Sequence, residues 1–115
     1  MDTVIAAGIG IVVQELKLSH SATLTLTASP DVTPGTGNGY NFYRSTTSGS
    51  YTTGPLNGTT PVVGTSFVDT TIAVGVKYFY VATAVENGLE SVHSNEATAT
   101  VILPAAPSSL VVVVA

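Results

Sequence analysis

Few residues in this chain could do chemistry. There are two histidines, His20 and His93, and no cysteine, so thiol nucleophiles and thiolate metal ligands are absent. The carboxylates Asp31, Asp69, Glu86, Glu90 and Glu96 lack the alternating spacing that wraps a loop around a calcium ion. Serines are plentiful, but none sits in a nucleophile motif. No catalytic residue, metal ligand or cofactor site is therefore assigned, and the expectation is a protein that is not an enzyme. Two surface chemistries remain. Tyr43, Tyr51 and Phe79 fall where side chains can point outward, as a platform for a sugar or a contact for another subunit. The ordinary alternative is cross-strand pairing of Tyr43 against Phe79 on an exposed sheet face. Asn57-Gly58-Thr59 fits a glycosylation sequon, a pattern common by chance and idle in a bacterial or phage source.

Charge narrows the partners. Charged residues make up 9% of the 115 residues, against about 25% in typical globular chains. The net charge is −4, and Lys17, Arg44 and Lys77 are the only cations. Three scattered cations do not neutralise a phosphate backbone, which argues against nucleic acid as a partner. Mean hydropathy is high, at +0.44. The longest apolar stretch, Val4 to Val13, still falls far short of the roughly 20 residues a spanning helix needs, so no membrane insertion is expected. Asp2 stands where a signal peptide carries positive charge. The expectation is a chain made without a cleaved leader, or an already mature form. With so little charge, the surface is expected to associate with something.

The elements that must carry these residues read as strands. Thr, Val, Ser and Gly dominate, helical periodicity is missing, and short β-type runs are separated by turn formers. In "ATLTLTA", Ala22, Leu24 and Leu26 share one face and the threonines the other. "YNFYRS" places Tyr40 and Phe42 on one face, with Asn41 and Tyr43 opposite. "KYFYVATAV" puts Tyr78, Tyr80, Ala82 and Ala84 together. Asn87-Gly88 suits a two-residue hairpin turn, because both positions tolerate positive φ. "SNEATATVIL" returns as the partner strand. Near the N-terminus Leu16 and Leu18 alternate at even positions, whereas Ile9, Ile11 and Val13 are odd. Either the register breaks near Val13-Gln14, or Ile9 to Val13 is buried on both faces.

The stretches "HSATLTLTAS", "GYNFYRSTTSGSYT" and "VVGTSFVDTTIAVGVKYFYVATAVENGLESVHSNEATATV" together resemble a bacterial or phage fibronectin type III (immunoglobulin-like) domain over His20 to Val101. Leu26 takes the place of the family's core tryptophan. Tyr40 matches its strand-C tyrosine, and Ile72 and Gly75 match its corner, with Val74 in place of proline. Tyr78 matches the corner tyrosine, whose hydroxyl is expected to bond the backbone upstream. Asp69 resembles the family's turn aspartate and is expected to cap the "DTT" corner. Asn95 and Glu96 match "SNE" and are expected to order the last strand. The resemblance implies an all-β, two-sheet, seven-stranded sandwich, here over 20–103. Extra apolar strands are expected at both ends, an N-terminal segment over 1–19 and a linker plus strand over 104–115. It implies no activity, because the fold hosts many roles.

The C-terminal "LPAAPSSLVVVV" resembles the opening strand of such a domain, displaced to the far end. Three readings follow: the start of a second domain, a strand docked within its own chain, or a strand given to a neighbouring subunit. Burying Leu110, Val112 and Val114 gains roughly 5–9 kcal/mol. Fixing the backbone of the run costs roughly 6–12 kcal/mol. Burying Val111 and Val113 as well adds about 3–5 kcal/mol, and an unbroken valine run suits two-sided burial. The expectation is a tail docked as a strand and covered on both faces between subunits, with Ile9, Ile11 and Val13 as further assembly residues. The function expected is a structural subunit of a repetitive assembly, on a virion surface as a capsid decoration or tail protein. Its partners would be copies of itself and other virion proteins. The alternatives are a subunit of an extracellular filament or pilus built by strand donation, or an adhesion module that binds cell-surface glycan. Localisation is expected to be virion or extracellular.

Overall fold

The computed structural model describes residues 5–7, 12–14 and 20–115. The described elements are all strands: β1 (Ile5–Ala7), β2 (Val12–Gln14), β3 (Ala22–Thr25), β4 (Gly39–Ser45), β5 (Ser66–Asp69), β6 (Lys77–Glu86), β7 (Leu89–Glu90) and β8 (Ala97–Thr100). β3 pairs antiparallel with β5, and β4, β6, β7 and β8 form the second sheet, with β6 at its centre. The chain is therefore an all-β sandwich. β1 and β2 pair with each other, Val13 opposite Ala6. Instead of one N-terminal strand, the backbone there makes two short antiparallel ones. Ile9 and Ile11 lie outside the described residues.

Alternation builds the core. Tyr40 and Phe42 from β4 and Tyr78 and Tyr80 from β6 are buried between the sheets, and the Phe42 ring stacks on Phe67 of β5 at 5.2 Å. Ile72, Tyr78 and Tyr80 form a cluster against which Leu24, Leu56, Val76 and Val101 pack. The Ala73 N–H donates to the Tyr78 hydroxyl at 2.9 Å, so the corner before β6 is pinned from its own strand. The Ser29 N–H donates to the Tyr40 hydroxyl at 2.8 Å. Each buried phenol thus keeps a polar partner while its ring fills the core. Leu26 lies just past β3, where its N–H bonds the Thr65 carbonyl at 2.9 Å. It is only half-buried and does not fill the place of a large core ring.

Two turns depend on backbone freedom. Asn87 and Gly88 have φ of 51° and 77°, as a tight hairpin with positive φ at both positions requires. Gly39 sits where a Cβ would come within 2.1 Å of the Val62 carbonyl oxygen, so the backbone of 62 can pair with Tyr40 only beside a glycine.

The C-terminal run differs from its expectation. Val101 is the last paired residue, bridging Val74 while the Gly75 N–H bonds its carbonyl at 2.7 Å. Residues 102–115 form no strand, and Leu110 to Val114 are 73–91% exposed. Among the described residues the run is covered on neither face. Pro104 and Pro107 stand before the run, where each lacks an N–H to give a strand ladder and fixes its own φ.

Candidate functional site

Two regions stand out, one closed by side chains and one left open. The closed region is the outer face of the β4–β6 sheet. Alternation sends Val81, Thr83 and Val85 to this face, yet all are buried, so both faces of central β6 are covered. The cover is local and polar-edged. Opposite Thr83 lies Asn41, and opposite Val81 lies Tyr43. Glu90 of β7 accepts hydrogen bonds from Thr83 and Tyr43, and Asn41 Nδ2 donates to it at 3.3 Å. These bonds hold the Glu90 carboxyl below the usual carboxylate range. Burial, followed by the bond to Glu90, pushes the Tyr43 phenol up.

A second carboxylate ties in the loop after β4. Glu96 accepts from the Ser48 hydroxyl and the Tyr51 hydroxyl at 2.5 Å each, and from the Gly49 N–H at 2.9 Å. Its pKa is lowered by the bonds from Ser48 and Tyr51, while the Tyr51 phenol is pushed up by burial and by Glu96. Glu96 thus fastens a distant loop instead of the start of its own strand. Between the two tyrosines sits His93, 5.8 Å from the Tyr43 ring and 5.5 Å edge-on to the Tyr51 ring.

Of the expected outward aromatics, Tyr43 and Tyr51 are brought together and Phe79 is not. Phe79 lies opposite Ser45, diagonal to Tyr43, with the Lys77 ammonium 5.3 Å from its centroid. The cross-strand partner of Tyr43 is therefore Val81, because the register sets Phe79 two residues away. His93, Glu90 and Asn57 completed this patch without any sequence signal pointing there. The Asn57 side chain accepts from the Phe42 N–H at 2.8 Å and donates to Asn41 Oδ1 at 2.9 Å, so the sequon asparagine is a structural bond of the β4 edge.

Asp69 is more than a turn cap. It accepts from the Thr71 N–H and hydroxyl at 3.0 and 2.7 Å, but also from the Tyr80 hydroxyl and Arg44 Nη1, both at 2.9 Å. Burial alone would push its carboxyl up; the bonds from Thr71, Tyr80 and Arg44 outweigh it and hold the pKa low. The Arg44 guanidinium also stacks 4.7 Å from the Tyr78 ring centroid. The group has the form of a structural ion pair with a buried carboxylate and a partly exposed guanidinium. Among the described residues no three His, Cys, Asp or Glu side chains gather as metal ligands, and no helix is long and apolar enough to cross a membrane.

The open region is the seam between the sheets on the β3–β8 side. A cavity of about 500 Å³ runs along Ala22 to Thr27, with Ala97, Thr98 and Ala99 as its other wall and Phe42, Tyr80 and Ala82 inside it. Among the described residues β3 pairs only with β5, and β8 only with β6, so both strands bordering the seam show a free edge. Leu24 and Leu26 point into the sandwich but stay half-buried.

This arrangement has a solved counterpart. The crystal structure of a Fn3-like protein from Clostridium thermocellum is similar to the chain at 40% identity, covering 72% of this chain and 75% of that one, with a TM-score of 0.56. The chain belongs to the fibronectin type III-like family. No protein-family model matches it, and neither does any curated protein. Membership explains the tyrosine-pinned corner and the two-sheet core of this Fn3-like domain. Folds of this class are typically non-catalytic, and specific roles come from surfaces added to them.

Proposed function

We propose that this Fn3-like domain is a non-catalytic structural subunit that joins a repetitive extracellular assembly by β-strand addition. A virion surface, as a capsid decoration or tail protein, is the first setting, and an extracellular filament or pilus the second. The observation that carries the reading is the exposure of Leu110 to Val114. A run of five large aliphatic side chains, with no charge among them, is covered by no described residue of its own chain. Exposed apolar strands that pair with other chains are the physical basis of strand-addition interfaces. Sparse charge supports the same reading, since with 9% charged residues much of the surface carries no charge to desolvate when it packs against another copy.

The test is sedimentation at high micromolar concentration, with and without Leu110 to Ala115. Multimers that persist in mild denaturant are expected for the full chain and monomers for the shortened one. A full chain that stays monomeric removes the assembly role.

A second reading rests on a different surface. Tyr43, His93 and Tyr51 group beside Glu90 and Glu96, an aromatic–carboxylate combination able to stack on and hydrogen-bond a sugar. It predicts a monomer that is retained on cell-wall or capsular polysaccharide and that loses retention on Tyr43→Ala.

A further inference from the structure

The structure leaves one seam open and one apolar run uncovered, and we propose that they are two halves of a single joint. The Leu110–Val114 run of one copy enters the groove between β3 and β8 of another, pairing with the free edge of β3. This inference rests on the assembly reading above and adds the receiving surface.

Four features of the groove fit that occupant. Its long wall, Ala22 to Thr27, matches the Leu110 to Ala115 run residue for residue in length, so a strand paired there has a partner along its course. The wall is backbone: among the described residues β3 pairs only with β5, so its other edge offers N–H and C=O groups. Apolar and aromatic side chains, Leu24, Leu26, Phe42, Tyr80, Ala82 and Ala99, line much of the interior, with uncharged Ser94, Asn95 and Thr98 beside them. No charged side chain lines it, which suits a run that carries none. Leu110, Val112 and Val114 on one face of the run would complete the cover that Leu24 and Leu26 lack.

The geometry favours a second copy over the chain's own tail. Val101 is tied to Val74 and Gly75, and Pro104 and Pro107 follow before the run begins. Each proline favours extended backbone at the residue before it, and Ser109, at φ 58°, redirects the chain just before the run. This segment holds the run off its own sandwich, where Leu110 is 91% exposed.

The 115-residue chain has no cysteine, which allows a direct test by paired cysteine substitutions. Thr23 and Thr25 are exposed on the outer face of β3, so cysteine there leaves the core intact. Thr23→Cys or Thr25→Cys chains are mixed with Val111→Cys or Val113→Cys chains under mild oxidation; the four pairings cover either strand direction. At least tenfold more mixed disulfide is expected than with a Ser48→Cys control chain. Adding Val112→Asp to the tail partner should abolish the excess, because the groove offers its charge no partner. Multimers in sedimentation without capture at Thr23 or Thr25 would overturn the seam as the receiving site while leaving the assembly reading standing. An intrachain disulfide in Thr25→Cys/Val113→Cys monomers, unchanged on dilution, would overturn the second copy as occupant. Capture of Ile9→Cys in place of the tail would overturn the tail as occupant. Monomers without capture would overturn both proposals.

Discussion

The two long sides of this sandwich are finished by different means. On the β4–β7 side, buried Val81, Thr83 and Val85 are sealed by a net of side chains running from Asn57 through Asn41 and Glu90 to Tyr43, His93, Tyr51 and Glu96. On the β3–β8 side nothing of the kind exists among the described residues; there are two open backbone edges and half-buried leucines. The difference teaches that side chains close one side of this domain within the chain, while the other keeps backbone edges that a strand could pair. A side-chain net is satisfied once the chain has folded. An open edge is solvated by water and keeps a row of donors and acceptors that another strand can pair.

Deleting apolar volume from each side should show the contrast most strongly. Phe42 is 1% exposed and touches Phe67 across the sheets, so Phe42→Ala is expected to destabilise the domain by about 3–5 kcal/mol in urea unfolding. Leu24 borders the open seam and is half-buried, so Leu24→Ala should lose only roughly 1–2 kcal/mol in dilute solution, below the usual range for a fully buried leucine. The comparison sharpens on concentration. If a second copy closes the seam, the Leu24→Ala loss should grow at high micromolar protein while the Phe42→Ala loss stays constant.

Next in size is the Asp69 group. Asp69→Ala leaves the buried Tyr80 hydroxyl without its acceptor and Arg44 without its counter-charge. Because Arg44 is partly exposed, the loss is expected near the lower part of the buried-pair range, about 2–3 kcal/mol by denaturant midpoint. A loss no larger than that of an exposed pair would mean that water reaches Arg44 freely.

The pH profile follows from the same groups. Asp69, Glu90 and Glu96 have folded pKa values below their ordinary values of 3.8, 4.5 and 4.5. Their stabilisation is complete above the ordinary values and is lost as pH falls through the lower, folded ones. Tyr43, Tyr51 and Tyr80 are shifted the other way, above 10.0. Their contribution is complete below about pH 10 and is lost as pH rises beyond it. Thermal unfolding should therefore give a plateau between about pH 5 and 9, falling on both sides. Asp69→Ala should reduce the acid fall, and Tyr80→Phe the alkaline one.

Much of the fold was legible because its signals are local. The alternation of "ATLTLTA" and "KYFYVATAV", the Asn87-Gly88 turn and the spacing of Ile72, Gly75 and Tyr78 each lie within a few residues, and the strand faces follow from them. The side-chain net was not legible. Tyr43 meets Glu90 across 47 positions and Tyr51 meets Glu96 across 45, and no period or motif joins such pairs. Asn57 read as a sequon because its neighbours fit one, whereas its partner, the Phe42 N–H, is set by how the loop returns along β4. The tail read as a strand in need of cover; residues 102–115 form no strand, and its two-sided burial between copies was an energetic expectation that remains a proposal. The seam could not be read at all, since an open edge is a property of the assembled sheets.

The smallest expected effect tests whether the closed side is a structural seal or a binding face. Tyr43→Phe removes one hydroxyl from Glu90 and keeps the ring over Val81 and beside His93. Glu90 retains its bonds from Thr83 and Asn41, and the site is largely solvated. The stability loss is therefore expected at the low end for a hydrogen bond, about 0.5 kcal/mol. A seal predicts that this loss is all that happens, with polysaccharide retention unchanged because there was none. A sugar platform predicts the reverse weighting: stability barely moves, while retention falls by more than the lost bond explains, since the hydroxyl would have faced the ligand as well as Glu90. Measuring unfolding midpoint and retention on the same Tyr43→Phe preparation separates the two, because a folding defect lowers both together and a binding defect lowers only the second.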